Sequence, residues 1–191
     1  MNLNVEKILI IGLGMIGSSI ALASKSKGIK VYGFDKSNNS IKEALEKNII
    51  DSKVESILDI NSKDFVKKVD LIIVAVPPKQ TLDVLNDLKN IWNTDVTITD
   101  TSSVKNHIKL NGASNIILSH PIAGSDQSGI SAANGDLFKN KKNVLCDPFN
   151  SKKGHFEKVD NFWKNALQMR TSSMSVTEHD LIFAMTSHLP H

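Results

Sequence analysis

The strongest constraint on the fold is a glycine-rich turn between an apolar segment and a helical one near the N-terminus. Residues 7–11 (Lys-Ile-Leu-Ile-Ile) have the composition of a buried strand, and residues 12–17 (Gly-Leu-Gly-Met-Ile-Gly) follow at once. Residues 16–27 then show a helical pattern that ends at Gly28, a natural C-terminal cap. A strand, a G-x-G-x-x-G turn and a helix in this order are typical of a βαβ unit that binds a dinucleotide.

The rest of the chain continues this alternation. Further strands are predicted at 30–34, 71–76, 96–99, 115–118, 143–145 and 168–174. Helices are predicted from about 41, at 62–69, 79–92 and 154–167, and from about 177 to 187. Two capping pairs are expected to start helices: Ser40 with Glu43, and Thr177 with Asp180. This order predicts an α/β fold, a Rossmann-type doubly wound, mostly parallel sheet with helices on both faces.

Composition and charge exclude several classes of protein. The 191 residues, 40% hydrophobic and 23% charged, suit one folded globular domain or one domain plus part of another. The longest apolar run, 71–78, is too short to span a membrane, and the N-terminus lacks a signal peptide. The single Cys146 cannot form an internal disulfide, so a cytoplasmic location is predicted. The net charge of +3 accompanies no nucleic-acid motif; neither nucleic acid nor membrane is an expected partner.

The glycine turn and an acid beyond it predict the cofactor. Gly12 allows the tight turn, Gly14 lets backbone approach a pyrophosphate, and Gly17 lets helix and strand pack closely. Asp35, at the end of the second strand, would bind the ribose hydroxyls and repel a 2′-phosphate, which favours NAD over NADP. Adjacent Lys36 could soften that preference; the alternative is a glycine turn with a surface aspartate. The predicted cofactor-binding residues are Gly12, Leu13, Gly14, Met15, Ile16, Gly17, Asp35, Lys36, Val76, Pro77, Thr101 and Ser102.

A histidine at the end of an apolar run is the best candidate for acid–base chemistry. His120 follows residues 115–118 directly after Ser119, precedes a proline, and leads into a stretch of small and hydroxyl-bearing residues. An imidazole with a pKa near neutrality can take a proton from a substrate hydroxyl. Hydroxyls of residues 101–103, expected on the same sheet edge, could orient this ring.

A second group of histidines follows, His179-Asp180 and then His188-Leu-Pro-His191. A metal site is one interpretation, but a third ligand is not evident, so no metal is predicted and substrate contact or helix packing is favoured. His107 and His155 lie in polar surroundings and are predicted to be solvated.

The chain resembles the prephenate dehydrogenases and the related arogenate dehydrogenases along essentially its whole length. The matching segments are residues 12–17, Asp35, residues 75–78, 100–105, 119–125 and 128–129, His179-Asp180, and residues 187–191. The glycine turn is common to many dehydrogenases. The pair His-Pro-Ile-Ala-Gly and Ser-His-Leu-Pro-His, in this order, is far more specific.

The resemblance implies an NAD-dependent oxidative decarboxylation of prephenate to 4-hydroxyphenylpyruvate, a step of tyrosine biosynthesis. It implies that His120 draws off the ring hydroxyl proton and that Ser103 orients His120. Ser125, Asp126, His188 and His191 would lie near the substrate; Asp126 stands where family members often carry glutamate. The alternatives are an arogenate dehydrogenase, another NAD-dependent hydroxy-acid dehydrogenase of similar plan, and a non-enzymatic NAD-binding regulatory module.

The resemblance also implies a helical C-terminal domain that dimerises and supplies an arginine for a substrate carboxylate. Arg170, the single arginine, does not match that position. We therefore expect residues 1–175 to form the NAD-binding domain and 176–191 to start a helical linker into a missing domain. The complete enzyme is expected to be a homodimer, and this stretch alone to turn over prephenate poorly.

Overall fold

A single twisted sheet organises the chain. The computed structural model describes residues 5–124 and 127–187. Its eight strands lie in the order β3-β2-β1-β4-β5-β6-β7-β8. They are β1 Lys7–Ile11, β2 Lys30–Phe34, β3 Ser52–Lys53, β4 Leu71–Val74, β5 Thr97–Asp100, β6 Ile116–Ile122, β7 Lys142–Cys146 and β8 Arg170–Ser173. All neighbouring strands are parallel except β6 and β7, which are antiparallel. The predicted fold class is confirmed.

Helices connect the strands and cover the sheet. They are α1 Met15–Lys25, α2 Asn38–Glu46, α3 Ile57–Ile60, α4 Lys63–Val66, α5 Pro78–Asp87, α6 His155–Asn161 and α7 Val176–Ser187. Short 3₁₀ turns occupy Lys89–Ile91 and Ile130–Ala132, and a π-helical turn, Phe162–Ala166, continues α6. Within the described ranges, none of these helices is long and apolar enough to cross a membrane.

The core lies on both faces of the sheet. Because successive side chains of a strand point to opposite faces, Ile8 and Ile10 of β1 enter one apolar cluster, while Leu9 and Ile11 enter the other. All four side chains are 0–2% exposed. A strand buried on both faces needs a continuous apolar sequence, which explains why β1 and β4 were recognisable as runs without alternation.

Strand β6 is longer than predicted. It continues past residue 118 to Ile122, because its second half pairs antiparallel with β7, with His120 opposite Val144. The histidine therefore lies inside a strand rather than at the strand end. Its backbone is held by a neighbouring strand, which stiffens it more than a loop would.

Both predicted capping pairs were wrong. Helix α2 starts earlier, at Asn38, because the Ser37 hydroxyl accepts a hydrogen bond from the Ser40 N–H. Helix α7 is capped by Ser175, whose hydroxyl accepts from the N–H of Glu178 while the Glu178 carboxylate accepts from the N–H of Ser175. Asp180 therefore does not cap α7, and its carboxylate accepts from the backbone N–H groups of Lys105 and Asn106.

Candidate active site

The predicted functional segments meet at the carboxyl edge of the parallel part of the sheet. The glycine turn follows β1, residues 75–77 follow β4, and residues 101–105 follow β5. His120 lies on the next strand, beyond the last residues of β6 that pair with β5. The carboxyl ends of parallel strands are the usual ligand site of an open α/β sheet, so the topology supports a site there.

The glycine turn is shaped by two close approaches of backbone. Gly12 has φ +99°, and a Cβ built there would lie 2.5 Å from the carbonyl oxygen of Ala75. A Cβ on Gly17 would overlap the carbonyl oxygen of Gly12. Gly14, by contrast, is exposed, and a Cβ there would meet no atom within 4 Å. The chain itself therefore requires the first and third glycines, while the middle one leaves open space above the turn for a ligand.

The first turn of α1 is suited to an anion. It has no side-chain cap and no acidic residue, and Gly14 is its N-cap. Uncapped N–H groups and the positive end of the helix dipole favour a phosphate at this place.

Asp35 holds the glycine turn. Its carboxylate accepts hydrogen bonds from the N–H of Leu13 at 2.7 Å and from the N–H of Ser37 at 2.8 Å. Each carboxylate oxygen has a second lone pair, so Asp35 retains capacity for a hydroxyl donor. Lys36 is exposed, and its Nζ donates to Gln80 Oε1 at 3.4 Å. This lysine therefore points along the same side of the turn as α5.

A cleft of about 230 Å³ lies between the turn, β2 and β4. The predicted residues that line it are Gly12, Gly14, Asp35, Lys36, Val76 and Pro77. Leu13 is buried beneath the turn, and Met15, Ile16 and Gly17 begin α1. Thr101 and Ser102 lie at the next strand end, where the Ser102 hydroxyl donates to the carbonyl of Val104 at 2.9 Å. Six of the predicted cofactor-binding residues thus surround one cleft.

A buried ion pair anchors the strand that carries His120. Lys105 and Asp100 are both 0% exposed, and Lys105 Nζ donates to the two Asp100 carboxylate oxygens at 2.8 and 2.6 Å. The third ammonium hydrogen bonds the carbonyl of Ser119 at 2.5 Å. Asp100 in turn accepts from the N–H of Ser119 and from that of Ser102. Burial lowers the pKa of Lys105, and the charge of Asp100 opposes that shift. The residue before His120 is therefore tied through both its N–H and its C=O.

His120 is the first member of a chain of three side chains. Its Nδ1 lies 2.9 Å from Nε2 of His179, and His179 Nδ1 lies 2.7 Å from Oδ1 of Asp180. The rings of His120 and His179 each lie with their centroids 4.7 Å from that of Phe183. Burial, with the positive charge of Lys105 and the neighbouring His179 ring, lowers the pKa of His120 to about 3. The half-buried imidazole is therefore neutral across the physiological range.

Ser103 is not hydrogen-bonded to any of these three side chains. The serine is exposed, and in the part of the chain that the structure describes its hydroxyl makes no hydrogen bond. The ring partner of His120 in this structure is His179, and a contact between Ser103 and His120 stays a prediction. Ser125, Asp126, His188 and His191 lie outside the described residues.

Of the two histidines predicted to be solvated, His107 is exposed and His155 is buried. His107 is exposed, as expected, with Nε2 3.2 Å from the carbonyl oxygen of Pro78. The prediction that His155 is solvated was wrong: it is 8% exposed, and its Nδ1 lies 2.7 Å from Thr97 Oγ1. Helix α6 brings this polar segment against β5, which local sequence does not reveal. Across residues 5–124 and 127–187, no group of three or more His, Cys, Asp or Glu side chains could hold a metal ion.

The sequence did not single out His179 and Lys105 as members of the site. Both lie in motif segments, residues 100–105 and 179–180, but local sequence assigns neither a role. The available signal was a lysine placed shortly after a strand-end aspartate, and an adjacent His-Asp pair. Neither pattern indicates its partner, since the contacts join residues far apart in sequence.

The strand order, the glycine turn and the acid beyond β2 define a dinucleotide-binding α/β domain. Residues 20–168 match the model of the family described as prephenate dehydrogenase, nucleotide-binding domain. A prephenate dehydrogenase of Bacillus subtilis is 33% identical over 201 residues, covering 100% of this chain and 52% of that protein. A cyclohexadienyl dehydrogenase of Zymomonas mobilis is 32% identical, covering 97% of this chain and 64% of that protein. The chain belongs to the prephenate dehydrogenase family.

Structural similarity agrees with the sequence match. The crystal structure of prephenate dehydrogenase from Aquifex aeolicus, in complex with hydroxyphenyl propionate and NAD⁺, superposes with a TM-score of 0.88 at 30% identity. It covers 100% of this chain and 67% of that one. The chain thus spans about half the length of its Bacillus relative and about two thirds of the Aquifex chain.

Proposed function

We propose that this chain forms the NAD-binding and proton-accepting part of an NAD-dependent prephenate dehydrogenase, which converts prephenate to 4-hydroxyphenylpyruvate and carbon dioxide. Family membership supports the reaction, and the Aquifex relative that binds NAD⁺ and a hydroxyphenyl compound supports the ligands. The observation that carries the proposal is a half-buried imidazole, that of His120, on the same sheet edge as an open glycine turn. His120 is the proposed catalytic residue, with Ser103 as its proposed orienting partner.

The spacing of the two features suits an extended ligand. Strand β6 lies three positions from β1 in the sheet, roughly 14 Å at the usual spacing of strands. A ligand that reaches from the cleft beside Asp35 to His120 must lie across β4 and β5. A dinucleotide placed with its pyrophosphate above Gly14 has this form, and its far end would meet the imidazole.

In the proposed reaction the hydride goes to the cofactor and the hydroxyl proton goes to His120. When bound, NAD supplies the acceptor of the hydride. The carbon–hydrogen bond at the hydroxyl-bearing ring carbon breaks with its electron pair, and the bond to the opposite carboxylate supplies a pair to the ring as carbon dioxide leaves. His120 draws the hydroxyl proton toward Nε2 as positive charge develops on that carbon, and returns it to the phenolic oxygen of the product. A weak base suffices, because the hydroxyl becomes strongly acidic as the hydride departs.

Ser125, Asp126, His188 and His191 are proposed to contact the substrate. We also propose that residues 1–175 are the NAD-binding domain and that 176–191 lead into a helical domain.

The test of the function is a steady-state assay of the complete enzyme with prephenate and with arogenate, each with NAD and with NADP. Prephenate with NAD should give the highest kcat/KM. Turnover of arogenate alone, or of neither compound, would contradict the proposal.

Asp35→Ala should weaken NAD binding about 10-fold or more while changing NADP binding far less, because one charged acceptor of ribose hydroxyls is lost. Isothermal titration with each cofactor measures this difference, and exposed Asp87→Ala is the matched control. An equal loss for both cofactors would mean that Asp35 acts only by holding the N–H of Leu13 and does not select between them.

We propose that the complete protein is a cytoplasmic homodimer. The apolar side chains of Leu181, Ile182 and Met185 on α7 are 62%, 45% and 65% exposed, which supports a further apolar surface packed against this helix. Light scattering of the complete protein should give twice the monomer mass at micromolar concentration. A monomeric mass there would contradict this proposal.

A further inference from the structure

We propose that His179 is a positioning residue, which fixes His120 in the tautomer whose Nε2 accepts the substrate proton, and that Asp180 holds His179 for this task. The inference rests on the proposed role of His120 and deepens it. It follows from the direction of two hydrogen bonds and from the surroundings of the three side chains.

The direction of the hydrogen bonds begins at Asp180. Its carboxylate accepts from the backbone N–H of Lys105 at 3.0 Å and from that of Asn106 at 2.7 Å. Burial alone would raise the pKa of Asp180, but hydrogen bonds from His179, Asn106 and Lys105 outweigh it and lower the pKa. Asp180 is therefore ionised and can only accept, so the hydrogen between it and His179 belongs to Nδ1 of His179.

This assignment determines both remaining nitrogens. Burial lowers the pKa of His179, so its ring is neutral and carries one hydrogen, already placed on Nδ1. Its Nε2 is then an acceptor, and the 2.9 Å contact requires His120 to donate from Nδ1. A neutral His120 that carries its hydrogen on Nδ1 has a free lone pair on Nε2. That nitrogen is the one that points away from the chain of three and can meet a substrate.

The surroundings hold this arrangement in place. His179 is 0% exposed, and Phe183, one turn later on α7, packs against both imidazole rings. Asp180 is anchored to the backbone after β5, and His120 to the strand that Lys105 ties to Asp100. Neither ring can turn without breaking one of these contacts. The ring orientation is thus set by two elements, β6 and α7, that are separated by 59 residues in sequence at the contact.

The three side chains also stabilise the protonated form of His120, which burial disfavours. The charged groups facing His120 are Lys105 behind β6, whose charge Asp100 balances, and Asp180 beyond His179. Burial favours the neutral ring and raises the free energy of its protonated form. When His120 takes the proton, its Nδ1–H bond to His179 becomes charge-assisted and Asp180 lies at the far end of the chain. His179 therefore links the charge of Asp180 to His120 and helps the half-buried ring to accept a proton.

The test compares two replacements of His179 in the complete enzyme. His179→Phe keeps the ring shape without an acceptor and should lower kcat about 10- to 100-fold, with KM for prephenate and NAD within about twofold. His179→Gln should restore most of kcat, because its side-chain carbonyl can accept from Nδ1 of His120. A drop of equal size in both variants would overturn the inference.

Nitrogen-15 NMR of the imidazoles provides the readout that does not need the reaction. In the wild type, His120 should show a protonated Nδ1 and an unprotonated Nε2 down to pH 5. The Phe variant should show a mixture of both tautomers and the Gln variant the wild-type form, while His155→Gln, which alters a buried histidine at the other end of β5, should change neither the His120 signals nor kcat. A His120 tautomer that is indifferent to His179 overturns the inference. If the tautomer depends on His179 but His120→Asn leaves turnover intact, the positioning stands and the proposed function fails.

Discussion

Replacing Lys105 by methionine should lower the free energy of unfolding by about 3–5 kcal/mol, one of the largest effects expected from a single change in this domain. The ammonium group makes three hydrogen bonds in a site with no solvent exposure, two to Asp100 and one to Ser119. Methionine fills a similar volume but leaves the Asp100 carboxylate buried without a cation. Urea denaturation followed by circular dichroism measures the change.

The matched control is Lys47→Met. Lys47 pairs with Glu43 on the surface of α2, where the two side chains are 49% and 41% exposed, so its loss should cost about 0–1 kcal/mol. Adding Asp100→Asn to Lys105→Met should recover part of the stability, because the unpaired buried charge is removed while an oxygen remains for the N–H of Ser119. A Lys105→Met variant as stable as Lys47→Met would show that the lysine does not hold Asp100 in solution.

His120→Asn in the complete enzyme should lower kcat with prephenate about 10²- to 10⁴-fold, the usual contribution of a positioned acid–base group. Asparagine can still donate to Nε2 of His179 but offers no basic nitrogen to the substrate hydroxyl. The affinity for NAD should stay within about twofold, because most of the proposed cofactor contacts lie around the cleft beside Asp35 and asparagine keeps a polar side chain at position 120.

Steady-state kinetics with prephenate, together with titration of NAD, measures both quantities. His155→Asn is the control, since His155 is a histidine whose ring is hydrogen-bonded to another side chain, that of Thr97, at the amino end of β5. An unchanged kcat for His120→Asn would remove His120 from the reaction. A parallel loss of NAD binding would instead indicate that the substitution disturbs the domain.

Much of the architecture could be predicted from local sequence. The runs at β1 and β4 are apolar on both faces, and the turn between β1 and α1 needs glycine where backbone meets backbone. These are short-range requirements, so residue order alone reveals them. Parallel topology then brings the ends of β1, β2 and β4 to one edge, which is why six cofactor candidates surround one cleft.

The capping pairs show where local patterns mislead. Ser40 with Glu43 and Thr177 with Asp180 have the residue types of capping pairs, but Ser37 and Ser175 cap the two helices. Which serine caps the helix depends on the direction in which the chain leaves the preceding strand. That direction is a tertiary property, so equal local signals could not decide between them.

The order of residues was enough to predict the sheet, the glycine turn and the edge on which His120 lies, because each depends on the periodicity and size of neighbouring residues. The pairing of His120 with His179, and the bonds by which Lys105 and Asp100 hold Ser119, became visible only in the folded structure. The presence of a polar side chain in the sequence predicts that it needs a hydrogen-bond or ion-pair partner, but it does not identify that partner. When the partner lies on another element, the choice is made by the packing of α7 against β6 and by the cost of leaving a buried donor or charge unpaired.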